Sequence, residues 1–122
     1  MKTVMVVDDS KIMRNIVKNY FEQIKVPVHF LEAGDGREAI QLLLNNNVDL
    51  VLLDWNMPAL SGIDFLKKVR AMDKYSEIPI IMVTSEASKL NVIEAVKEGA
   101  TAYITKPINE KSFIDKLSKI ML

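Results

Sequence analysis

Three carboxylates, one hydroxyl and one ammonium stand where apolar runs of the chain end. Asp8 and Asp9 follow "TVMVV", Asp54 follows "DLVLL", Thr84 closes "PIIMVT" and Lys106 follows "AYIT". Burying a carboxylate is costly unless a hydrogen bond, a cation or a metal compensates it. A carboxylate nucleophile with a metal, a lysine and a hydroxyl around it is the equipment of phosphoryl transfer. Whether these groups meet depends on the fold.

Five short apolar runs rich in Val, Ile and Leu predict β-strands. Helical patterns separate the runs, so strands and helices alternate along the chain. The predicted strands cover 3–7, 28–33, 49–53, 79–84 and 102–105.

Helix boundaries are marked by capping residues. Residues 10–24 carry one apolar stripe with helical spacing, formed by Ile12, Met13, Ile16, Val17, Tyr20, Phe21 and Ile24. Asp35 and Ser61 each precede an acidic residue by three positions, which is a capping pattern, and Asn109 is the expected cap of the last helix. Gly99 is the expected stop of the fourth.

Strict alternation of strands and helices predicts an α/β fold with a parallel sheet covered on both faces. We expect one domain over 1–122, with five helices and a doubly wound, flavodoxin-like five-stranded sheet in the order 2-1-3-4-5. In such sheets ligands bind at the carboxyl edge, where the order reverses between strands 1 and 3. That edge is where Asp8, Asp9 and Asp54 would converge.

Three carboxylates at one edge repel each other, and a hard divalent cation relieves the repulsion. Because only oxygen ligands are present, Mg²⁺ is the expected ion. Lys106 and the hydroxyl of Thr84 would face the same cluster, and Asp54 would attack phosphorus to form an acyl phosphate. For any one of these residues, a turn or a helix cap is the commoner explanation. Their conjunction on successive strand ends favours the phosphoryl-transfer site.

Composition narrows the function further. The chain has 16 basic and 16 acidic residues, a balance that argues against direct nucleic-acid binding. It has no cysteine, which excludes disulfides and thiolate metal sites. The apolar run before Asp8 is too short for a signal peptide or a membrane span. We therefore expect a cytoplasmic protein.

The motifs "VVDDS", "LLDWNMP" followed by Gly62, "MVTSEA" and "YITKP" resemble those of the receiver domain of bacterial two-component response regulators. The resemblance covers the whole chain and is nearest to the single-domain chemotaxis regulators. It implies that Asp54 is the phosphoacceptor, assisted by Lys106 and Thr84. It also implies that the chain is a phosphorylation-activated switch, which catalyses only its own phosphorylation and dephosphorylation, and not an enzyme in the usual sense.

The resemblance assigns further roles by position. Mg²⁺ would be held by Asp9, Asp54 and the backbone carbonyl of Asn56, with Asp8 acting through water. Thr84 and Tyr103 would form the conformational switch, and Asn56 and Glu86 would tune the lifetime of the phosphoryl group. The bond between Lys106 and Pro107 would be cis.

The partners implied are a CheA-like histidine kinase and an output protein such as a flagellar motor switch protein, with the chain itself a monomer. Many chemotaxis members have phenylalanine where this chain has Ile108, near the surface where outputs dock. A receiver excised from a larger regulator, such as a transcription factor, is an alternative. A magnesium phosphatase of the haloacid dehalogenase type would need an aspartate at Asn56, and a flavodoxin would need a phosphate loop in place of Asp8 and Asp9.

Overall fold

The computed structural model describes residues 1–55, 57, 60–85 and 89–121, with the side chains of residues 89, 90 and 121 left aside. In this part of the chain, five parallel strands form one sheet in the order β2-β1-β3-β4-β5. The strands are β1 (Lys2–Val7), β2 (Val28–Ala33), β3 (Leu50–Asp54), β4 (Ile80–Thr84) and β5 (Ala102–Thr105). The predicted fold class and strand order are confirmed.

The described residues also form five α-helices, which connect successive strands or follow the last one. They are α1 (Lys11–Gln23), α2 (Gly36–Asn45), α3 (Gly62–Arg70), α4 (Lys89–Lys97) and α5 (Glu110–Met121), with a short 3-10 helix at Asp73–Tyr75. None of the described helices combines the length and the apolar character needed to cross a bilayer.

Side-chain caps begin four of the helices, and three of these caps are the residues that the sequence predicts. Ser10 accepts a hydrogen bond from the backbone N–H of Met13, and Asp35 accepts one from Glu38. Ser61 and Asn109 cap α3 and α5 in the same way. Each cap satisfies an N–H group that has no partner inside the helix, which fixes where the chain turns from the sheet edge into the helix.

The core lies in two layers, one on each face of the sheet. Alternate residues of the inner strands point to opposite faces, so Met5 and Val51 join one layer while Val4 and Leu50 join the other. The first layer is covered by α2, α3 and α4, and the second by α1 and α5. Both layers pack against the central strands β1, β3 and β4; the acidic residues lie at the ends of β1 and β3, and Thr84 lies at the end of β4.

Three local details differ from the sequence-based expectations. Asp49 precedes β3 instead of opening it, and its carboxylate accepts a hydrogen bond from the backbone N–H of Thr3. Ile12 was expected on the buried stripe of α1, yet it is 73% exposed. The turn of 3-10 helix after α3 was not anticipated; it buries Tyr75, whose hydroxyl donates to the carbonyl of Leu43 at 3.1 Å.

Candidate functional site

The carboxyl edge of the sheet gathers the acidic residues that the sequence separates widely. Asp8, Asp9 and Asp54 each offer a carboxylate oxygen, and these oxygens lie within 4.8 Å of one another. Parallel pairing of β1 with β3, with Val7 beside Leu53, brings the two strand ends level. The cluster therefore follows directly from the strand order.

Asp54 is held rigidly for a residue with a charged side chain. It is the last residue of the buried strand β3 and is only 5% exposed. The next residue, Trp55, donates its backbone N–H to the carbonyl of Val83 at 3.2 Å, which extends the pairing with β4 past the strand end. The carboxylate thus sits on a backbone fixed from both sides.

The chain returns to Asp54 at Gly62, the first residue of α3. The N–H of Gly62 donates to the carbonyl of Trp55 at 2.9 Å. A Cβ atom at this position would lie 2.2 Å from the carbonyl oxygen of Asp54, a distance that no real contact allows. Glycine is required here because the backbone of the helix start packs directly on the backbone of the strand end.

Lys106 joins two of the three carboxylates. Its Nζ lies 3.1 Å from Oδ2 of Asp8 and 3.1 Å from Oδ1 of Asp54. Its backbone N–H donates to the carbonyl of Thr84 at 2.8 Å, and the following bond to Pro107 is cis, as the family resemblance implied. The ammonium reaches the cluster from β5, across β4.

Two opposing effects act on the pKa of Lys106. Partial burial of the ammonium lowers the pKa, but hydrogen bonds and charge attraction from Asp54 and Asp8 outweigh burial, so the pKa is raised above 10.5. Lys106 is therefore a permanent cation at any physiological pH. It cancels one of the three negative charges that meet at the edge.

Burial divides the three acids into two kinds. Asp8 and Asp54 are each 5% exposed, whereas Asp9 is exposed to solvent. The backbone N–H of Ser10 donates to Asp8 Oδ1 at 2.9 Å. The carboxylate of Asp8 therefore binds both the turn that follows β1 and the ammonium of Lys106. The donor set is all oxygen, which suits a hard cation such as Mg²⁺.

Thr84 and Tyr103 lie on adjacent strands and line the same small gap beneath α4. The gap is also bordered by Trp55, Met82, Asn91, Val92 and Ala95. Thr84 is buried at the end of β4, while Tyr103 is half-buried on β5. A movement of one of these side chains therefore changes the space available to the other.

Two of the residues singled out in the sequence lie outside the described residues. They are Asn56, expected to supply a backbone carbonyl and to tune the site, and Glu86, expected to tune it. Among the described residues, Asp8, Asp9, Asp54 and Lys106 come together, and Thr84 lies at the end of the neighbouring strand β4, where it lines a gap with Tyr103.

Two basic residues that the sequence did not single out contact Asp8 and Tyr103. Arg14 on α1 donates from Nη1 to the backbone carbonyl of Asp8 at 2.5 Å and from Nε to Glu32 at 3.1 Å. Lys116 on α5 lies 4.6 Å from the ring centroid of Tyr103 and also donates to its carbonyl. The one sequence signal for the contact between Arg14 and Glu32 was the presence of a glutamate in the strand "VHFLEA".

Most of the chain matches a known protein family. Residues 4–118 match the family model of the response regulator receiver domain. The chain is 38% identical over 117 residues to the chemotaxis protein CheY of Pseudomonas aeruginosa, with 96% of this chain and 94% of that protein covered. It is 44% identical over 118 residues to a CheY homolog of Campylobacter jejuni, covering 96% and 90% of the two chains.

A solved structure shares the architecture closely. The chemotaxis response regulator CheY4 of Vibrio cholerae superposes with a TM-score of 0.89 and 32% sequence identity, and 99% of each chain is covered. The sheet order and the helix placement described above are thus those of a known group of proteins.

Proposed function

Since the chain belongs to the response regulator receiver domain family, we propose that it is a phosphorylation-activated switch of a two-component system, with Asp54 as the phosphoacceptor. The observation that carries this proposal is the position of Lys106, whose ammonium lies 3.1 Å from carboxylate oxygens of both Asp8 and Asp54. A lysine in this place neutralises the buried nucleophile and the phosphoryl oxygens that arrive beside it.

The acidic cluster fits a magnesium ion. Oxygens of Asp8, Asp9 and Asp54 lie within 4.8 Å of one another, and Asp9 is the most accessible of the three. We assign Asp9, Asp54 and the backbone carbonyl of Asn56 as the residues that hold the ion, with Asp8 acting through water. Bound Mg²⁺ would supply positive charge to the oxygens of the transferred phosphoryl group.

The chain's own groups account for the transfer step. A carboxylate oxygen of Asp54 attacks phosphorus, the bond from phosphorus to the donor's histidine nitrogen breaks, and its electron pair stays on the imidazole. Lys106 and the hydroxyl of Thr84 contact the phosphoryl oxygens, which carry the charge through the transition state. Water later attacks phosphorus, the bond from phosphorus to the Asp54 oxygen breaks, and inorganic phosphate leaves as the carboxylate is restored, at a rate that Asn56 and Glu86 would tune.

Thr84 and Tyr103 would convert that chemistry into a change of surface. A phosphoryl group on Asp54 attracts the Thr84 hydroxyl, and the gap that both side chains line then gains room for the Tyr103 ring. This is a shift between two existing conformations, limited in size by how much better the phosphoryl group binds one of them. The surface near β5 and α5, where Tyr103 and Lys116 meet, would change with it.

The names of the similar proteins support a role in chemotaxis. The donor would then be a histidine kinase and the target an output protein such as a flagellar motor switch protein, with the switch working in the cytoplasm as a single receiver domain. A receiver that belongs to a larger regulator would use the same site. An assay of binding to flagellar switch components, with and without beryllofluoride, separates these two outputs.

Phosphorylation by a small donor tests the central claim. Incubation with acetyl phosphate and Mg²⁺ should add the mass of one labile phosphoryl group, and chelation of Mg²⁺ should prevent the addition. Asp54→Asn should remain unmodified, while Asp73→Asn, an exposed residue at the opposite edge of the sheet, should be labelled like the wild type. Equal labelling of Asp54→Asn and wild type would remove Asp54 from its role.

A further inference from the structure

We propose that Arg14 is a positioning residue for the metal site: its guanidinium bridges the backbone of Asp8 to Glu32 and so fixes the turn that presents Asp8 and Asp9 to Mg²⁺. The inference rests on the proposed function, because it assigns a role toward the magnesium site of that function. Arg14 itself touches neither the ion nor a carboxylate of the cluster among the described contacts.

The turn after β1 is held by a small set of contacts, one of which is the hydrogen bond from the N–H of Ser10 to Asp8 Oδ1 at 2.9 Å. The N–H of Asp8 donates to the carbonyl of Ala33 at 3.0 Å, which is its last tie to β2. Asp9 follows with an exposed side chain, and α1 begins only after Ser10. The carbonyl of Asp8 accepts a hydrogen bond from Nη1 of Arg14 at 2.5 Å.

Glu32 anchors the other end of the guanidinium. It lies on β2 beside Val6 of β1, two residues before Asp8, so it is fixed in the sheet that carries the acidic pair. The Nε of Arg14 donates to Glu32 Oε1 at 3.1 Å, and Lys18 approaches the other oxygen, Oε2, at 3.4 Å. The arginine side chain is 17% exposed, which limits the alternatives open to it.

Arginine suits this bridge and lysine does not. Its planar guanidinium directs donors toward two acceptors at once with a fixed angle between them, whereas an ammonium is a single point on a flexible stem. Here Nη1 of Arg14 donates to the carbonyl of Asp8 in the turn before α1, and Nε donates to Glu32 on β2. The arginine therefore joins the start of α1 to β2. Groups that orient a metal ligand without touching the metal commonly change its affinity by about tenfold or more.

The sign of the effect separates positioning from simple charge. Arg14 is a cation near a site that binds a cation, so removing its charge would by electrostatics alone strengthen Mg²⁺ binding. If Arg14 positions Asp8 and Asp9, removing it weakens binding instead. Lys18 offers a matched control because it lies one turn further along α1, contacts the same glutamate and carries the same charge, but has no contact with Asp8.

Calorimetric titration with Mg²⁺ alone, followed in parallel by the fluorescence of Trp55, decides the matter. Arg14→Gln should bind Mg²⁺ about tenfold more weakly than wild type, whereas Lys18→Gln should bind it equally or slightly more tightly. Arg14→Lys keeps the charge and breaks the bridge, so it should also bind more weakly. Urea unfolding in chelator accompanies each titration, and variants are compared where they are folded.

The outcomes separate this inference from the proposed function. No saturable Mg²⁺ binding by wild type would overturn the proposed function and the inference with it. Binding by wild type together with equal or tighter binding by Arg14→Gln would overturn the inference alone. So would equal weakening by Arg14→Gln and Lys18→Gln, because the effect would then come from the loss of a partner for Glu32 and not from the Asp8 carbonyl.

Discussion

Asp9 should destabilise the metal-free protein and stabilise the magnesium-bound one. Oxygens of Asp9 and of its two acidic neighbours lie within 4.8 Å. At that distance each like-charged pair repels by ~0.9 kcal/mol in a water-like dielectric and ~3.5 kcal/mol at an effective dielectric of about 20. Because Asp9 is exposed, the lower figure applies. In the unfolded chain Asp54 is far from Asp9, so this repulsion arises only on folding.

Two attractions reduce the repulsion. Asp8 adjoins Asp9 in the unfolded chain as well, so folding adds mainly the ~0.9 kcal/mol of repulsion between Asp9 and Asp54, and Lys106 offsets about half of it. The positive end of α1, just beyond Ser10, favours a nearby carboxylate by about 0.3 kcal/mol. Asp9→Asn should therefore raise the free energy of unfolding in chelator by about 0.2 kcal/mol at low ionic strength, and by less in high salt.

Urea unfolding with and without Mg²⁺ measures the effect. In chelator the midpoint of Asp9→Asn should exceed that of wild type, with an unchanged slope. With Mg²⁺ at about 100 times its dissociation constant, wild type should gain about 2.7 kcal/mol, while the variant gains much less. The order of stability should thus reverse between the two conditions.

A control variant and two outcomes make the test decisive. Asp73→Asn removes an exposed carboxylate at the opposite edge of the sheet, so its difference from wild type should be the same with and without Mg²⁺. If Asp9→Asn is less stable than wild type in chelator, the carboxylates are not in net repulsion. If Mg²⁺ stabilises both proteins equally, Asp9 is not a ligand.

Two further predictions concern the surroundings of the site. Burial raises the pKa of Glu32, but hydrogen bonds and charge attraction from Arg14 and Lys18 outweigh it, so the pKa is lowered below 4.5. The stability that the ionised Glu32 contributes is therefore present above pH 4.5 and is lost as the pH falls through the folded-state pKa. Urea unfolding from pH 7 to 3 should therefore show a deficit for Glu32→Gln that shrinks toward the acid end, and a constant deficit would contradict the assignment. Thr84→Ala should still be phosphorylated by acetyl phosphate, but the change in Tyr103 fluorescence or ring NMR signals on addition of beryllofluoride should be largely lost, whereas Thr84→Ser should retain it; a full response by the alanine variant would disconnect the two residues.

The strands and the gathering of the acidic residues were accessible from the sequence. The inner strands β1, β3 and β4 each contain four consecutive apolar residues, because a sheet covered on both faces buries the residues of its inner strands. The chemistry-bearing residues follow those runs, and parallel strands end at one edge. Asp8, Asp54 and Lys106 could therefore be brought together by counting strand ends, without knowledge of any side-chain conformation.

Contacts that depend on side-chain reach were not accessible. The bridge from Arg14 to Glu32 and the Asp8 carbonyl requires the rotation of α1 over the sheet and the direction of one carbonyl group, and no periodicity encodes either. Ile12 is a residue whose burial could not be predicted from its spacing. Its spacing assigns it to the apolar face of α1, yet its side chain is 73% exposed, whereas Val17 and Phe21 further along the same helix are buried.

The ion pairs of Lys106 with Asp8 and Asp54 also affect the order in which the protein folds during synthesis. Its partners Asp8 and Asp54 stand 98 and 52 residues earlier in the chain. Contacts of such separation close late, since the intervening segments must be ordered first. During synthesis the acidic residues leave the ribosome well before the lysine that neutralises them, and β5 must add to the sheet edge before the ammonium can reach them. A nascent chain therefore exposes its acids without their counterion, and the proposed phosphoryl site is complete only when β5 is in place.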